Sequence, residues 1–248
     1  MTPRFTIYLL LISCGLTAMS TTTAEELADK SELYTGREYS VAFANPKDDP
    51  ALPNVLLIGD SISIGYTVDV RKHLQGKADV FRIPGNGKTS EFGRQNLNKW
   101  LGKREWDVIH FNWGLWDLCY RHPDSKVQGH RDKEHGTLTA TPDEYRENLN
   151  WIVERLKQTN ATLIWCATTP VPEGEAGRKL GDDVRYNQIA SEIMNANGIR
   201  INDLHSHALK KLPDIQIRKG DVHFCKQGYQ HLAQKVASEI ESALMSPP

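Results

Sequence analysis

The sequence lacks most features of proteins that bind nucleic acids, nucleotides or structural metals. Its 30 basic residues are balanced by 31 acidic ones, so the formal net charge of −1 predicts no attraction to nucleic acid or to an anionic membrane. No zinc motif and no internal repeat is present. The string Gly87-Lys88-Thr89 lacks the glycine that a phosphate-binding loop has five residues earlier, where this chain has Arg82. Specificity must therefore come from a local site.

Long hydrophobic runs are also scarce. The apolar run from Phe5 to about Leu16 is too short to span a bilayer comfortably. Arg4 precedes it, and small and hydroxyl residues follow from Thr17 to Ala24, which is the layout of a secretory signal peptide. We therefore predict an exported protein, periplasmic or secreted, with no transmembrane span in the mature chain.

The signal can end in two ways. Cleavage near Ser20 or Ala24 would release a soluble protein, which we favour. The string Leu11-Ile12-Ser13-Cys14 resembles a bacterial lipobox, however, and would make Cys14 a lipidated first residue.

Cysteine is rare, with four residues in the whole chain. If Cys14 leaves with the signal, an oxidising compartment permits one disulfide among the other three. Cys166 lies in an apolar run and is expected to be a buried thiol. A bridge between Cys119 and Cys225 is a hypothesis.

The remaining composition, 39% hydrophobic and 25% charged, suits a single folded core. We divide the chain into a signal peptide (1–24), a polar N-terminal leader (25–52) and one folded domain (53–248).

Predicted strands and helices alternate through that domain. Five short apolar runs and five helical segments follow one another, with a long loop, Leu118–Thr139, after the third strand. Thr141 with Glu144 three residues later predicts a capping box at one helix start, and Gly198 a helix stop. The predicted strands are Asn54–Ile58, Asp79–Ile83, Asp107–Asn112, Thr162–Thr168 and Ile199–Asn202. This alternation predicts an α/β fold with a parallel sheet covered on both faces.

Candidate functional residues follow several of these strands. Gly59-Asp60-Ser61 places Ser61 on a strand-to-helix turn, where helix N–H groups can face an oxyanion. The glycine loop 84–90 follows strand two, and 111–117 follows strand three. His223 lies just before the last helix. Ligand sites in such sheets lie at the carboxyl ends of the strands, so these segments are expected to meet.

Taken together, the four segments resemble the SGNH hydrolases, also called the GDSL esterase/lipase superfamily. Gly-Asp-Ser comes first, Gly87-Lys88-Thr89-Ser90 second, Gly114-Leu115-Trp116-Asp117 third and the Asp221-Val222-His223 block last. The resemblance covers about residues 53 to 240. It implies a flavodoxin-like three-layer sandwich with a five-stranded parallel sheet, and ester hydrolysis by a serine without a cofactor or metal.

The resemblance also implies roles for individual residues. Ser61 matches the nucleophile, His223 the base and Asp221 its acidic partner. The backbone of Ser61 and Gly87 would supply oxyanion donors.

Two positions depart from the family pattern. Trp116 stands where the family has its oxyanion asparagine, so either its indole N–H or Asn112 is considered as the third donor. Asp221 lies two residues before His223 instead of three, where this chain has Gly220. If the carboxylate does not reach the imidazole, a Ser–His pair remains.

The substrate is less constrained than the reaction. No long apolar stretch surrounds Ser61, and polysaccharides lie outside the cell, so we expect a short acyl group, acetyl first, on a carbohydrate. Trp113 and Trp116 are candidates for stacking on a sugar ring, although tryptophans at strand ends usually cap the core instead. A lipid or general short-chain carboxylesterase and a non-catalytic carbohydrate-binding descendant are the alternatives. The histidines of the long loop suggest a metal, but their spacing matches no ligand pattern, so we expect a solvated charged loop and no metal.

Overall fold

The computed structural model of the chain describes residues 27–29 and 31–245. The predicted signal peptide, with Cys14, lies outside these residues. Across the described part of the chain, no helix combines the length and apolar character needed to cross a bilayer.

A five-stranded parallel sheet forms the centre of the domain. Its strands are β1 (Asn54–Ile58), β2 (Asp79–Arg82), β3 (Val108–Phe111), β6 (Thr162–Cys166) and β7 (Arg200–Asn202). They lie in the order β2-β1-β3-β6-β7, and every neighbouring pair is parallel. Residues on both faces of β1, from Val55 to Ile58, are buried, which explains why this strand is a continuous apolar run.

Helices cover the two faces of this sheet. The main ones are α2 (Ser61–His73), α3 (Ser90–Leu101), α4 (Pro142–Lys157), α5 (Asp182–Ala196) and α7 (Lys226–Met245). Helix α2 packs on α7, whereas α3, α4 and α5 pack on one another in sequence. The connection through α2 runs toward one edge of the sheet, and the connections through α3, α4 and α5 run toward the other edge. Because such connections are right-handed, α2 with α7 lies on one face of the sheet, and α3, α4 and α5 lie on the opposite face. The predicted three-layer α/β fold is confirmed.

Local signals placed several boundaries correctly. Thr141 and Glu144 form the predicted capping box at the start of α4. Gly198 ends the segment after α5 with a φ of 65°, a left-handed conformation that glycine adopts without steric cost. Strands β2, β3, β6 and β7 are each one or two residues shorter than predicted. Strands β2, β3 and β6 end earlier, because the residues after them already turn into the loops of the rim, and β3 and β7 each begin one residue later.

Short elements escaped prediction. The long loop contains a two-stranded antiparallel pair, β4 (Tyr120–Arg121) with β5 (Thr137–Leu138), and a 3-10 turn at Gln128–His130. The other short elements of the described residues are a 3-10 turn (Arg37–Tyr39), the short helix α1 (Ser40–Phe43) and α6 (Leu204–Leu209). Elements of two to six residues carry too little periodicity to be recognised in a sequence.

The polar segment before β1 packs on the domain. Tyr34 and Ala42 form a small apolar cluster with Ile64 of α2, flanked by Tyr39 and Phe43. The domain boundary at residue 53 stays a prediction, but residues on both sides of it share this packing.

Candidate active site

Ser61 is the first residue of α2 and lies at the carboxyl end of the central strand β1. The preceding Asp60 caps the helix, its carboxylate accepting the Ile62 N–H at 2.9 Å. Arg82 supports the turn from the neighbouring strand by donating to the carbonyl oxygens of Gly59 at 2.9 Å and Asp60 at 3.2 Å. These contacts fix the backbone that carries the Ser61 hydroxyl.

His223 meets this hydroxyl from the other end of the chain. The Oγ of Ser61 and the Nε2 of His223 are 2.9 Å apart, although 162 positions separate the two residues in the sequence. Both are largely enclosed, with 3% and 8% of their surfaces exposed. The distance allows a hydrogen bond from the serine hydroxyl to an imidazole nitrogen that carries no proton.

Asp221 holds the opposite edge of the imidazole. Its Oδ1 is 2.7 Å from the Nδ1 of His223 and also accepts the backbone N–H of His223 at 3.0 Å. A carboxylate at Nδ1 keeps the proton there and leaves Nε2 as the acceptor for Ser61. The two-residue offset that departs from the family spacing therefore still brings the carboxylate to the ring.

The charge state of Asp221 suits this contact. Burial by itself disfavours the ionised carboxylate. The hydrogen bonds from His223 and the positive charges of His223 and Arg218 outweigh burial, and they hold the pKa of Asp221 well below its ordinary value. Arg218 lies 2.7 Å from Oδ2 and is mostly exposed. Asp221 thus stays an anion at any pH at which an ester hydrolase is ordinarily assayed.

The predicted oxyanion donors are only partly available. As the first residue of α2, Ser61 has an N–H group without an intrahelical acceptor. The Gly87 N–H, however, donates to the carbonyl oxygen of Gly59 at 2.9 Å. The Asn112 side chain donates to the carbonyl oxygen of Cys166 at 2.7 Å and to the Thr168 hydroxyl at 3.2 Å. The oxyanion roles predicted for Gly87 and Asn112 are not met in this arrangement, because their N–H groups are used to join the loops.

Gly87 is needed at its position for a different reason. A Cβ atom added there would lie 2.8 Å from the carbonyl oxygen of Gly59. Glycine therefore permits the loop after β2 to pass close to the turn that carries Ser61.

Trp113 and Trp116 lie beneath the rim rather than on it. Each is 1% exposed, Trp113 donating its indole N–H to the carbonyl oxygen of Gly87 at 3.1 Å. The Trp116 ring lies against the guanidinium of Arg121, 4.8 Å away. Stacking on a sugar requires an exposed ring face, so the predicted substrate contacts of these two residues are wrong. The oxyanion role considered for the Trp116 indole N–H stays a prediction.

Asp117 joins two of the motif loops. Its Oδ1 accepts the backbone N–H of Ser90 at 2.8 Å and the Ser90 hydroxyl at 2.6 Å, so it ties the start of α3 to the loop after β3. Burial raises the pKa of Asp117 to about 7 against the lowering effect of these hydrogen bonds. The group is fully buried, so its role is to hold these two loops together.

Sequence reasoning missed the contribution of the segment before β1. The Tyr34 ring stacks on the imidazole of His223, with centroids 4.6 Å apart and planes inclined by 21°. The Glu32 carboxylate binds the Arg121 guanidinium through two hydrogen bonds, at 2.9 and 3.0 Å. The sequence signal for this packing was the presence of three aromatic residues, Tyr34, Tyr39 and Phe43, in an otherwise polar stretch.

A buried network of ion pairs continues from Glu32. Glu175 binds both Arg131 and Arg178 at 3.0 and 2.9 Å, and a guanidinium nitrogen of Arg178 also lies 4.0 Å from Glu32. The network joins the N-terminal segment, the long loop after β3 and the loop after β6.

The cysteines do not form the hypothesised bridge. Cys119, Cys166 and Cys225 are free thiols in the structure, the first two buried and the third partly exposed. The expectation of a buried Cys166 is confirmed. Within the described residues, no three histidine, cysteine or acidic side chains are grouped so that they could hold a metal ion.

Comparison with known proteins establishes the fold of this chain. No protein-family model matches the sequence, and no curated protein matches it. Solved structures do match. The acetyl xylan esterase AlAXEase is 20% identical with a TM-score of 0.61, covering 75% of this chain and 99% of its own.

Two further structures give the same result. A lipase/acylhydrolase from Enterococcus faecalis is 21% identical, with a TM-score of 0.62 and coverage of 77% of this chain and 96% of its own. An acetylxylan esterase from Geobacillus stearothermophilus is 20% identical, with a TM-score of 0.60 and coverage of 76% and 94%. The fold implied by the SGNH resemblance is therefore present.

Proposed function

We propose that this chain is a serine ester hydrolase of the SGNH type that removes short acyl groups, acetyl above all, from a carbohydrate outside the cytoplasm. The observation that carries the proposal is the hydrogen-bonded series Ser61–His223–Asp221 at the carboxyl edge of the sheet. A serine hydroxyl becomes a nucleophile when an oriented imidazole accepts its proton.

The first half of the reaction uses the contacts described above. As the Ser61 oxygen attacks the ester carbonyl, its proton passes to Nε2 of His223, and the imidazolium is stabilised by the Asp221 carboxylate. The negative carbonyl oxygen forms beside the start of α2, where the Ser61 N–H and the positive end of the helix dipole stabilise it. His223 then donates the proton to the leaving alcohol, and the acyl group remains on Ser61.

The second half repeats the sequence with water. His223 takes a proton from the water molecule as it attacks the acyl-serine, and then returns a proton to the Ser61 oxygen. The carboxylic acid leaves, and no cofactor enters the balance.

Enclosure of the site supports a short acyl group. Ser61 and His223 are almost fully buried, and the Tyr34 ring covers one face of the imidazole. A long acyl chain would need an apolar surface leading from Ser61, whereas the loops around it are held by hydrogen bonds and buried ion pairs. Two matching structures are named as acetyl xylan esterases, which supports acetyl on a carbohydrate as the first substrate to test.

The test measures p-nitrophenol release from p-nitrophenyl acetate, butyrate and octanoate, and acetate release from acetylated xylo-oligosaccharides. Ser61→Ala and His223→Ala are expected to lower kcat by about a thousandfold or more. Ser191→Ala and His135→Ala, which change the same residue types elsewhere on the domain, serve as matched controls and should stay near wild type.

Three other outcomes would redirect the proposal. Faster turnover of octanoate than of acetate would favour a lipid esterase, in line with the Enterococcus faecalis lipase/acylhydrolase of the same fold. Binding of an acetylated glycan without turnover would favour a carbohydrate-binding module. Equal activity of wild type and Ser61→Ala would contradict the serine mechanism.

A further inference from the structure

Three consecutive residues before β1 each contact a different segment of the active-site rim. The Glu32 carboxylate binds Arg121 of the long loop. The Leu33 carbonyl oxygen accepts the Asn86 amide at 3.3 Å, from the loop after β2. Tyr34 stacks on His223. The segment Glu32–Tyr34, here called the rim segment, therefore bridges the loops that surround Ser61.

Tyr34 is held in an unusual backbone conformation. Its φ is 54°, in the left-handed region that residues other than glycine, asparagine and aspartate seldom adopt. Such conformations persist where surrounding contacts determine them, and they concentrate at functional sites. Here the preceding residues, Glu32 and Leu33, are held by their hydrogen bonds to the rim loops. The ring of Tyr34 is held by the Tyr39 ring, which stacks on it with centroids 4.5 Å apart.

The stack restrains a motion of His223 that its hydrogen bonds leave open. Ser61 and Asp221 hold the two nitrogens of the ring within its plane, and neither resists tilting of the ring out of that plane. A nearly parallel phenol ring 4.6 Å away blocks tilting toward its side. Its electron-rich face also attracts the imidazolium that forms during the reaction. Burial raises the pKa of Tyr34, so the phenol stays neutral.

We propose that Tyr34 is a positioning residue of the active site, which holds the His223 imidazole in line with Ser61 through ring stacking. The inference rests on the proposed function, since it assigns a role within the same reaction. It makes the rim segment part of the active site and predicts that removal of the Tyr34 ring affects turnover more than substrate binding.

The first test separates the ring from the hydroxyl group. Tyr34→Leu removes the ring and is expected to lower kcat for p-nitrophenyl acetate by about tenfold to a hundredfold with little change in KM, because small misplacements of a catalytic group cost rates of that order. Tyr34→Phe keeps the ring and should remain within about threefold of wild type. Tyr39→Leu, a change of the same type one stacking layer away from His223, should have a smaller effect than Tyr34→Leu.

The second test does not depend on esterase activity. In proton NMR, the Nδ1–H of His223 that donates to Asp221 should give a sharp downfield resonance in wild type and Tyr34→Phe, and a broadened one in Tyr34→Leu. Wild type should also show a cross-relaxation signal between the ring protons of Tyr34 and His223, a measurement that needs no variant and remains valid if Tyr34→Leu does not fold.

The outcomes distinguish the two proposals. A sharp resonance and unchanged kcat in Tyr34→Leu, or no Tyr34–His223 signal in wild type, would overturn the positioning role whatever the protein hydrolyses. If esters are not substrates at all, the NMR measurements still decide whether Tyr34 holds His223.

Discussion

The Oδ1 atom of Asp221 accepts two hydrogen bonds from His223, one from the ring Nδ1 at 2.7 Å and one from the backbone N–H two positions along the chain at 3.0 Å. The tight loop therefore fixes the carboxylate against the residue whose ring it orients. This relationship makes a two-residue spacing sufficient for an Asp–His contact.

Asp221→Asn is expected to lower kcat by about a hundredfold to ten-thousandfold. The asparagine amide can donate to Nδ1, which favours the imidazole tautomer whose Nε2 carries the proton and cannot accept from Ser61. Rates of ester hydrolysis measured on folded protein test this. Arg218→Ala is the control, because Arg218 is 68% exposed and its ion pair with Asp221 should change kcat by less than about threefold. Equal losses in both variants would contradict the assignment of Asp221.

Glu32→Gln is expected to destabilise the protein by about 3–5 kcal/mol, since it leaves the buried Arg121 guanidinium without its counter-charge. Urea denaturation gives the free energy of unfolding. Glu192→Gln breaks the half-exposed pair with Arg146 and should cost about 0–1 kcal/mol. Similar losses for the two variants would mean that the rim segment is not anchored by its buried ion pair.

Asp117→Asn should change how stability depends on pH. The pKa of Asp117 is raised to about 7 from 3.8, so between pH 4 and 7 the native state binds more protons than the unfolded state. The stability from this group is present below about pH 4 and is lost as the pH rises through 7. Asparagine keeps the acceptor for Ser90 but has no ionisable group. The free energy of unfolding of Asp117→Asn should therefore rise relative to that of wild type between pH 4 and 8, by up to a few kcal/mol.

Thermal or urea unfolding at several pH values checks this difference. Asp214→Asn, at an exposed position, is the matched control and should follow the wild-type pH dependence closely. A constant difference between Asp117→Asn and wild type across the range would show that Asp117 remains ionised in the fold.

The three free cysteines should react with a thiol reagent in two classes. In a Cys14→Ser background, the partly exposed Cys225 is expected to react in the native protein. Cys119 and Cys166 should react only after unfolding, because burial encloses both thiols and raises their pKa values. A single reactive thiol in the unfolded, unreduced protein would instead indicate the Cys119–Cys225 bridge.

The amino-acid sequence by itself determined the α/β alternation and the helix caps, and the family resemblance implied the meeting of Ser61 with His223. The alternation and the caps follow from local patterns, because buried parallel strands are short apolar runs and caps use fixed spacings. The order of the four motif segments was enough to identify the fold.

Only the tertiary structure decided which side chains complete the site. Loop geometry on the scale of about an ångström decided these contacts, and residue spacing does not encode it. It buried Trp113 and Trp116, and it brought the Asp221 carboxylate to the imidazole. It also directed the N–H groups of Gly87 and Asn112 to other loops. The stack of Tyr34 on His223 joins residues 189 positions apart through a left-handed turn. No local pattern specifies such a contact, because it arises from how the rim segment packs once the sheet and its loops are in place.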